Sequence, residues 1–156
     1  MRAITIRQPW AWAVIHAGKT VENRSRNIAG DYRGPVAIHA SKRDDLNAFA
    51  ASDVLCKAVE SHLPRRPRPA SGIVDMREPW ILNHGMIIGV ADLVDVHRDN
   101  IHGRLYLRAC SSWATEGMTH LVFANPRPLD CPIRVRGRLE LWTLPDDVEQ
   151  AVRRQL

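Results

Sequence analysis

The fold of this chain is decided by one stretch, Met86-Ile-Ile-Gly-Val-Ala-Asp-Leu-Val94. The segment 85–96 around it is the strongest strand pattern in the sequence, because it is a sustained run of mostly β-branched and apolar residues. Gly89 lies inside this run, and a glycine within a strand is typical of a bulge that bends the strand. A bent strand favours a curved sheet, so the sequence predicts a small β-barrel.

Other predicted strands lie on both sides of this segment. Short alternating or apolar runs predict strands at 3–7, 20–24, 35–40, 105–107, 120–124 and 133–142. Gly137 is expected to break the last run in two. We therefore expect about six strands.

Three segments have the apolar period of a helix. The first follows Pro9 and ends at Gly18, since proline suits a first helical turn and glycine a C-terminal stop. The second covers 44–62. The third covers 146–153, where acids come first and arginines last, as the helix dipole favours. Together with the strands, they predict an α+β chain that forms a small, partly open barrel with two or three flanking helices.

Length and composition favour one domain. The chain has 156 residues, and domains most often contain about 100–150. We therefore treat 1–156 as one domain. Within it, 63–84 includes Pro64-Arg-Arg-Pro-Arg-Pro69 and sustains neither regular period, so we predict a long surface loop there.

The cysteines and the hydropathy pattern exclude some protein classes. Cys56, Cys110 and Cys131 are odd in number and widely separated, and they have no zinc-like spacing, so we expect reduced thiols. No stretch approaches the roughly 18 apolar residues of a membrane span. We expect a cytoplasmic protein that makes no membrane contact.

The charge balance is basic. Lys and Arg number 22 against 17 Asp and Glu, which gives a net charge of +5. Such a surplus favours polyanionic partners such as nucleic acid. Because the surplus is modest, it is equally compatible with scattered, solvated surface charge.

Complementary charges concentrate just after the tryptophans at 10 and 12, in Lys19-Thr-Val-Glu-Asn-Arg24. In an extended strand, Thr20, Glu22 and Arg24 share one face and Asn23 lies on the other, because side chains alternate. Lys19 enters from the preceding turn. Lys19 and Glu22 suit a proton-transfer pair or, alternatively, an ion pair that braces the barrel mouth.

Arg24 and the nearby tryptophans complete this cluster. Arg24 suits a phosphate or a base carbonyl, and its alternative is a salt bridge to Glu22 or Asp31. Trp10 is the best candidate for stacking on a base and Trp113 is the second, whereas core packing is the alternative for both. Ser111-Ser112 before Trp113 is predicted to cap a helix.

We predict no metal site and no cofactor. Asp92, Asp95, His97 and His102 are the residues that suggest one. However, a predicted turn separates the two histidines, and Asp92 lies on the opposite strand face from Asp95 and His97.

Three stretches together resemble the ASCH domain family, whose fold is related to the PUA domain of RNA-modifying enzymes. They are Ile6-Arg-Gln-Pro-Trp10, Lys19-Thr-Val-Glu-Asn-Arg24, which is similar to the family's GxKxxExR signature, and Asn125-Pro-Arg-Pro-Leu129 with Pro132, Arg136-Gly137 and Leu141-Trp142. The likeness spans nearly the whole chain and includes Gly34-Pro-Val-Ala-Ile-His-Ala-Ser-Lys42. Ala17 stands where the signature has its first glycine.

The resemblance implies a PUA-like barrel with a cleft lined by Lys19, Glu22 and Arg24. The other side chains expected to bind a ligand there are Trp10, Gln8, His39, Lys42 and Trp113. A structural role is the alternative for the histidine. Some similar small proteins hydrolyse the amide of an acetylated cytidine, and others are described as ribonucleases. In the amidohydrolase branch a nucleophilic threonine stands at the position of Glu22, so here a carboxylate would have to act as general base on water.

Three functions remain open from the sequence. The first is binding of RNA, or of a nucleoside or nucleotide derived from it. The second is a hydrolase, either a ribonuclease or a nucleoside amidohydrolase, with Lys19 and Glu22 as its catalytic pair. The third is a regulatory interaction module without chemistry. The sequence makes no prediction of oligomeric state.

Overall fold

The computed structural model describes residues 1–62, 83–98 and 110–156. The predicted strand at 105–107 and all but the last two residues of the predicted loop 63–84 lie outside these residues. The helices and strands within the described part are β1 Arg2–Gln8, α1 Trp10–His16, β2 Val21–Arg24, β3 Gly34–Asp44, α2 Ala48–Ala51, α3 Asp53–His62, β4 Met86–Arg98, β5 Thr119–Arg134, β6 Leu141–Thr143 and α4 Asp146–Arg153.

The six strands form one mixed sheet in the order β2-β5-β4-β3-β1-β6. β1 and β3 run parallel, whereas the other neighbouring pairs are antiparallel. β2 and β6 are the two edges, and the described residues make no ladder between them, so the sheet is not closed. The α+β, partly open barrel predicted from the sequence is confirmed.

β4 is central to this sheet and bulges at Gly89. The register shifts next to this residue in both ladders: Ile88 has no partner in β3, and opposite Ile88 the β5 residues 129–132 leave the ladder. A Cβ atom on Gly89 would lie 2.7 Å from the Arg127 carbonyl oxygen and 2.7 Å from Ile15 Cδ1. The glycine therefore lets both β5 and α1 approach β4 closely, and the predicted bulge is confirmed.

Alternating side chains bury both faces of the sheet. Ile4 and Ile38 pack on one face against Val14 and Ile15 of α1. On the opposite face, apolar side chains of the sheet pack against α4 and β6, in a cluster formed by Ala3, Ala37, Ile87, Val90, Leu129, Trp142, Leu144, Val148 and Val152. Because successive strand residues serve opposite faces, this two-sided core fixes the strand register.

Two predicted elements differ in the structure. The predicted helix 44–62 is two helices, α2 and α3, because Ser52 between them is extended. The predicted strand at 120–124 and the first two residues of the predicted run 133–142 belong to one strand, β5, although it contains three prolines. β2 pairs with β5 only as far as Val122, so the residues beyond lack a ladder on that side and tolerate the missing proline donors.

The C-terminal part follows the sequence closely. α4 has the predicted bounds, with three acidic residues in its first turn and Arg153 in its last. The break predicted at Gly137 is also present, because β5 ends at Arg134 and β6 begins at Leu141. Within the described ranges, every helix is too short or too polar to cross a membrane.

Candidate functional site

A cleft of about 650 Å³ opens beside β1 and β2. Its walls come from β1, the start of α1, the segment 19–24, the junction of α2 and α3, the turn 112–115 and the loop 138–140. Five of the predicted site residues line it together: Trp10, Lys19, Glu22, Arg24 and Trp113. Small-molecule sites typically occupy about 300–1,000 Å³, so the cleft is large enough for a ligand.

The end of α1 delivers Lys19 to this cleft. The backbone N–H groups of Ala17 and Lys19 both donate to the Ala13 carbonyl at 3.0 Å, and Gly18 between them has a φ of +67°. A left-handed residue at this position ends a helix and turns the chain sharply, and glycine adopts that conformation without strain. Gly18 thus supplies the turn, so alanine is accommodated at position 17.

Lys19, Glu22 and Arg24 form a continuous row of charge. Lys19 Nζ donates to Glu22 Oε2 at 2.9 Å and also to the Val21 carbonyl. Arg24 Nη2 lies 3.2 Å from Glu22 Oε1. Lys19 is 3% exposed and Glu22 9% exposed, so the carboxylate meets cations on both oxygens in a largely dehydrated setting. An anion placed between two cations fixes the positions of both.

Arg24 links this row to β1. Its Nη2 donates to the Thr5 carbonyl at 3.0 Å, and its side chain remains 30% exposed. Arg24 Nε is buried, and among the described residues it has no hydrogen-bond partner. The guanidinium is held in place yet keeps exposed surface towards the cleft. The predicted bridge to Glu22 is formed.

Trp10 is held rigidly where α1 begins. Its indole Nε1 donates to Asp45 Oδ2 at 2.9 Å, and the Lys19 ammonium lies 5.7 Å from the ring centroid. That distance is within the range of a cation–π interaction. Trp10 is half-buried, so part of the ring is accessible. The ring is oriented in advance and needs no rearrangement to contact a ligand.

Asn23 attaches the opposite wall of the cleft to the sheet edge. Its Nδ2 donates to the Trp113 carbonyl at 2.9 Å, and its Oδ1 accepts from the Thr115 backbone N–H at 2.9 Å. Strand alternation predicted that Asn23 points away from the site, but Asn23 lines the cleft. The reason is that β2 is an edge strand, and the turn 112–115 wraps over that edge.

The serines before Trp113 do not cap a helix. Ser111 Oγ accepts from the Trp113 backbone N–H at 3.2 Å within a turn, and the chain continues through further turns to β5. The predicted helix is therefore absent from residues 110–118. Ser112 lines the cleft, whereas Ser111 bonds Thr20, which is exposed and does not line it.

Three predicted site residues lie elsewhere. Gln8 is fully buried, and its Oε1 accepts from the Trp12 backbone N–H at 3.0 Å, so it supports the start of α1. His39 and Lys42 line a neighbouring groove of about 370 Å³, which shares Thr5, Ser41, Arg138 and Leu139 with the cleft.

His39 is part of the structure beneath that groove. It is 2% exposed, its Nε2 lies 3.1 Å from the Val135 carbonyl oxygen, and its ring meets Trp142 edge to face. Burial lowers the pKa of His39 below its usual 6.5, although backbone hydrogen bonding opposes the shift. His39 therefore joins β3 to the segment after β5.

Several cleft residues were missed from the sequence. Arg7, Asp45, Thr115 and Arg138 all line the cleft, as does Asn23. Arg7, Asn23 and Arg138 had a signal, since they adjoin or belong to the quoted motifs. Asp45 had none, because it lies in a loop that only the tertiary fold brings to the site.

Comparisons with known proteins concern the family and the fold. The ASCH domain profile matches residues 4–132. A search of curated proteins gave no match.

Solved structures with a similar fold come from Zymomonas mobilis. A tyrosine-to-phenylalanine variant of its ASCH protein aligns with a TM-score of 0.51 and 16% identity, over 97% of this chain and 96% of that one. The ASCH structure without a named substitution gives 0.47 and 16%, over 96% and 90%. A serine-to-alanine variant gives 0.49 and 15%, over 99% and 96%. At identities this low, a structural likeness concerns the fold alone.

Proposed function

This chain belongs to the ASCH domain family, and from that premise we propose that it binds single-stranded RNA by taking one unpaired base into the cleft. The observation that carries the proposal is the combination of Trp10, pinned by Asp45, with the row Lys19, Glu22 and Arg24 beside it. An aromatic face next to fixed donors and an acceptor is how proteins recognise splayed-out bases.

The charge of the cleft suits a neutral, polar ligand. Among the residues that the structure describes, four basic and three acidic side chains line it, namely Arg7, Lys19, Arg24 and Arg138 with Glu22, Asp45 and Glu140. This near balance favours a base over a phosphate. A carboxylate accepts hydrogen bonds and a guanidinium donates them, so Glu22 and Arg24 together match a base edge that carries a donor and an acceptor.

The neighbouring groove has the opposite character and suits phosphate. Four basic residues line it, Lys42, Arg43, Arg136 and Arg138, and in the described part of the chain no acid joins them. It also adjoins the cleft through Arg138 and Thr5. Cationic side chains that follow a nucleic-acid backbone position the strand, whereas contacts to the base select it. RNA would therefore place its base in the cleft and adjacent phosphates in the groove.

A hydrolase is the second candidate, and the Lys19–Glu22 contact favours it. At 2.9 Å the two groups are within proton-transfer distance, and both line the cleft. Glu22, however, accepts from Lys19 through one oxygen and forms an ion pair with Arg24 through the other. A carboxylate held on both oxygens is better suited to orienting cations than to activating water, so we place binding first.

Fluorescence anisotropy of a labelled single-stranded RNA tests the proposal. Stacking contributes about 1–3 kcal/mol per base, so Trp10→Ala should weaken binding roughly 5- to 150-fold. Arg138→Gln should reduce the salt dependence of binding by about 0.7 in log–log slope, since one phosphate contact is lost. Arg154→Gln removes the same charge from the exposed end of α4 and serves as the control.

The outcomes separate the candidates. Equal affinity of Trp10→Ala and wild-type protein for RNA would refute the stacking role. If free nucleosides bind tightly and the RNA strand adds no affinity, the ligand is a nucleoside. Turnover of RNA or of an acylated nucleoside that is lost in Lys19→Ala would establish the hydrolase.

A further inference from the structure

A second polar cluster lies where the turn segment before β5 meets the sheet. Ligand atoms of His97, Cys110 and His120 all lie within 4.8 Å of one another. Cys110 Sγ lies 3.3 Å from His120 Nδ1, and the two histidine rings meet edge to face at 5.3 Å between centroids. These residues are separate from the cleft, since none of them lines it.

The backbone holds the two histidines side by side. His97 on β4 and His120 on β5 are direct partners in the antiparallel ladder. His120 is fully buried, His97 is half-buried and Cys110 is exposed. Two donors are therefore fixed by the sheet, and the third approaches from the solvent side on the segment that leads into β5.

The hydrogen bonds of the two imidazoles occupy one nitrogen of each ring. Asp95 Oδ2 lies 2.7 Å from His97 Nδ1, which leaves Nε2 of that ring as the possible ligand. The Thr115 carbonyl oxygen lies 2.9 Å from His120 Nε2, which leaves Nδ1, the nitrogen nearest the thiol. Metal-binding histidines usually donate their second N–H to a carboxylate or a backbone carbonyl, and both arrangements occur here.

We propose that His97, Cys110 and His120 bind a zinc ion. A thiolate with two imidazoles is a ligand set that zinc favours. With zinc bonds of about 2.0–2.3 Å, neighbouring tetrahedral ligands lie about 3.5 Å apart. The 3.3 Å sulfur–nitrogen separation already meets this requirement. Binding would release the thiol proton, and the three protein ligands would leave a fourth position for water.

A zinc ion here would fasten one wall of the cleft. The segment 110–118 carries Ser112, Trp113 and Thr115 to the cleft, and hydrogen bonds from Asn23, Thr20 and His120 already attach it to the sheet. Coordination of Cys110 would add a stronger attachment to β4 and β5 at the start of this segment. The metal would act as a structural clamp, and its binding does not depend on the proposed RNA function.

No pattern in the sequence groups these three residues. The metal hypothesis drawn from the sequence considered Asp92, Asp95, His97 and His102; of these, His97 contributes a ligand here and Asp95 supports it, while His102 lies outside the described residues. His120 lies beside His97 only because β4 and β5 pair in this register, and Cys110 meets them on the segment that leads into β5.

Cobalt substitution of the purified full chain tests the proposal. One equivalent of Co²⁺ should give the thiolate charge-transfer band and the visible bands of a tetrahedral complex, and one equivalent of Zn²⁺ should displace it. Cys110→Ser should abolish the charge-transfer band, whereas Cys131→Ser, which changes another exposed cysteine, should retain it. Asp95→Ala should weaken zinc binding about 10- to 100-fold through loss of its hydrogen bond to His97.

The opposite results would overturn it. Binding of less than one equivalent of zinc by the wild-type chain would do so, as would an unchanged cobalt spectrum in Cys110→Ser. Zinc should also raise the melting temperature of the wild-type protein and of Cys131→Ser, but not that of Cys110→Ser. An equal rise in all three would place the metal elsewhere.

Discussion

Replacing Glu22 by glutamine should destabilise the protein strongly, because it removes one charge from the centre of the buried row. Lys19 is 3% exposed and depends on Glu22 for its only carboxylate contact among the described residues. Glutamine keeps the size of the side chain and one hydrogen-bond acceptor. It cannot neutralise the ammonium.

The expected loss follows from this burial. Breaking a buried ion pair by removing one partner destabilises a protein by about 3–5 kcal/mol. Because the retained amide oxygen can still accept from Lys19, we expect the lower end, about 3 kcal/mol. For a chain of this length, each kcal/mol shifts Tm by about 2–4 °C, so Tm should fall by about 6–12 °C.

Urea unfolding followed by tryptophan fluorescence measures this loss. With a slope near 2 kcal/mol per molar urea, the midpoint should fall by about 1.5 M. Glu140→Gln is the matched control, since it removes the same charge from an ion pair with Arg26 in which the side chains are 51% and 69% exposed. Exposed pairs contribute about 0–1 kcal/mol, so its midpoint should move little.

A double variant separates charge from packing. Adding Lys19→Met to Glu22→Gln removes the uncompensated ammonium, so the double variant should be more stable than Glu22→Gln alone. Arg24 remains, but its side chain is 30% exposed and solvent can compensate its charge. The reasoning fails if Glu22→Gln unfolds at the same midpoint as Glu140→Gln, or if the double variant is less stable than the single one.

Three further predictions concern the framework of the site. Gly89→Ala should lower the free energy of unfolding by about 1–3 kcal/mol, since its Cβ would lie 2.7 Å from a backbone oxygen; unchanged thermal unfolding would contradict the close packing. Gln8→Leu should lower the free energy of unfolding by about 1–3 kcal/mol, because the hydrogen bond to the Trp12 N–H is lost, and it should leave RNA affinity unchanged. Weakened RNA binding at unchanged stability would show instead that Gln8 is part of the binding site. The pKa of His39 is lowered in the folded state, so on acidification the unfolded chain binds a proton at this histidine before the folded chain does. The free energy of unfolding should therefore fall as the pH drops below about 6.5, by at most about 1.4 kcal/mol per pH unit. Urea midpoints at several pH values check this last prediction, and His39→Gln should flatten the dependence, so an equally steep fall in that variant would contradict it.

Local patterns predicted much of the fold. Three features depend on residues close in sequence, so the local sequence indicates them: the bulge at Gly89, the turn at Gly18 and the bounds of α4. The row from Lys19 to Arg24 was visible for the same reason. Its three charged side chains lie within six residues, and a short strand after a glycine turn brings them together.

Features that depend on distant segments could not be predicted. The continuity of β5 through its prolines depends on β2 ending early beside it, and the position of Asn23 depends on the turn 112–115 that wraps over that edge. Asp45 reaches Trp10 only across a loop. Gln8 was grouped with the site because it adjoins Trp10 in sequence, although its side chain points into the core.

The central claim is that the cleft beside Trp10 takes up an RNA base. Titration of the protein, with its tryptophan indoles labelled by ¹⁵N, with a short single-stranded RNA tests it most directly, because each indole N–H gives its own NMR signal. The signals of Trp10 and Trp113, which line the cleft, should shift with increasing RNA. Binding of RNA that leaves the Trp10 signal unchanged would contradict the account.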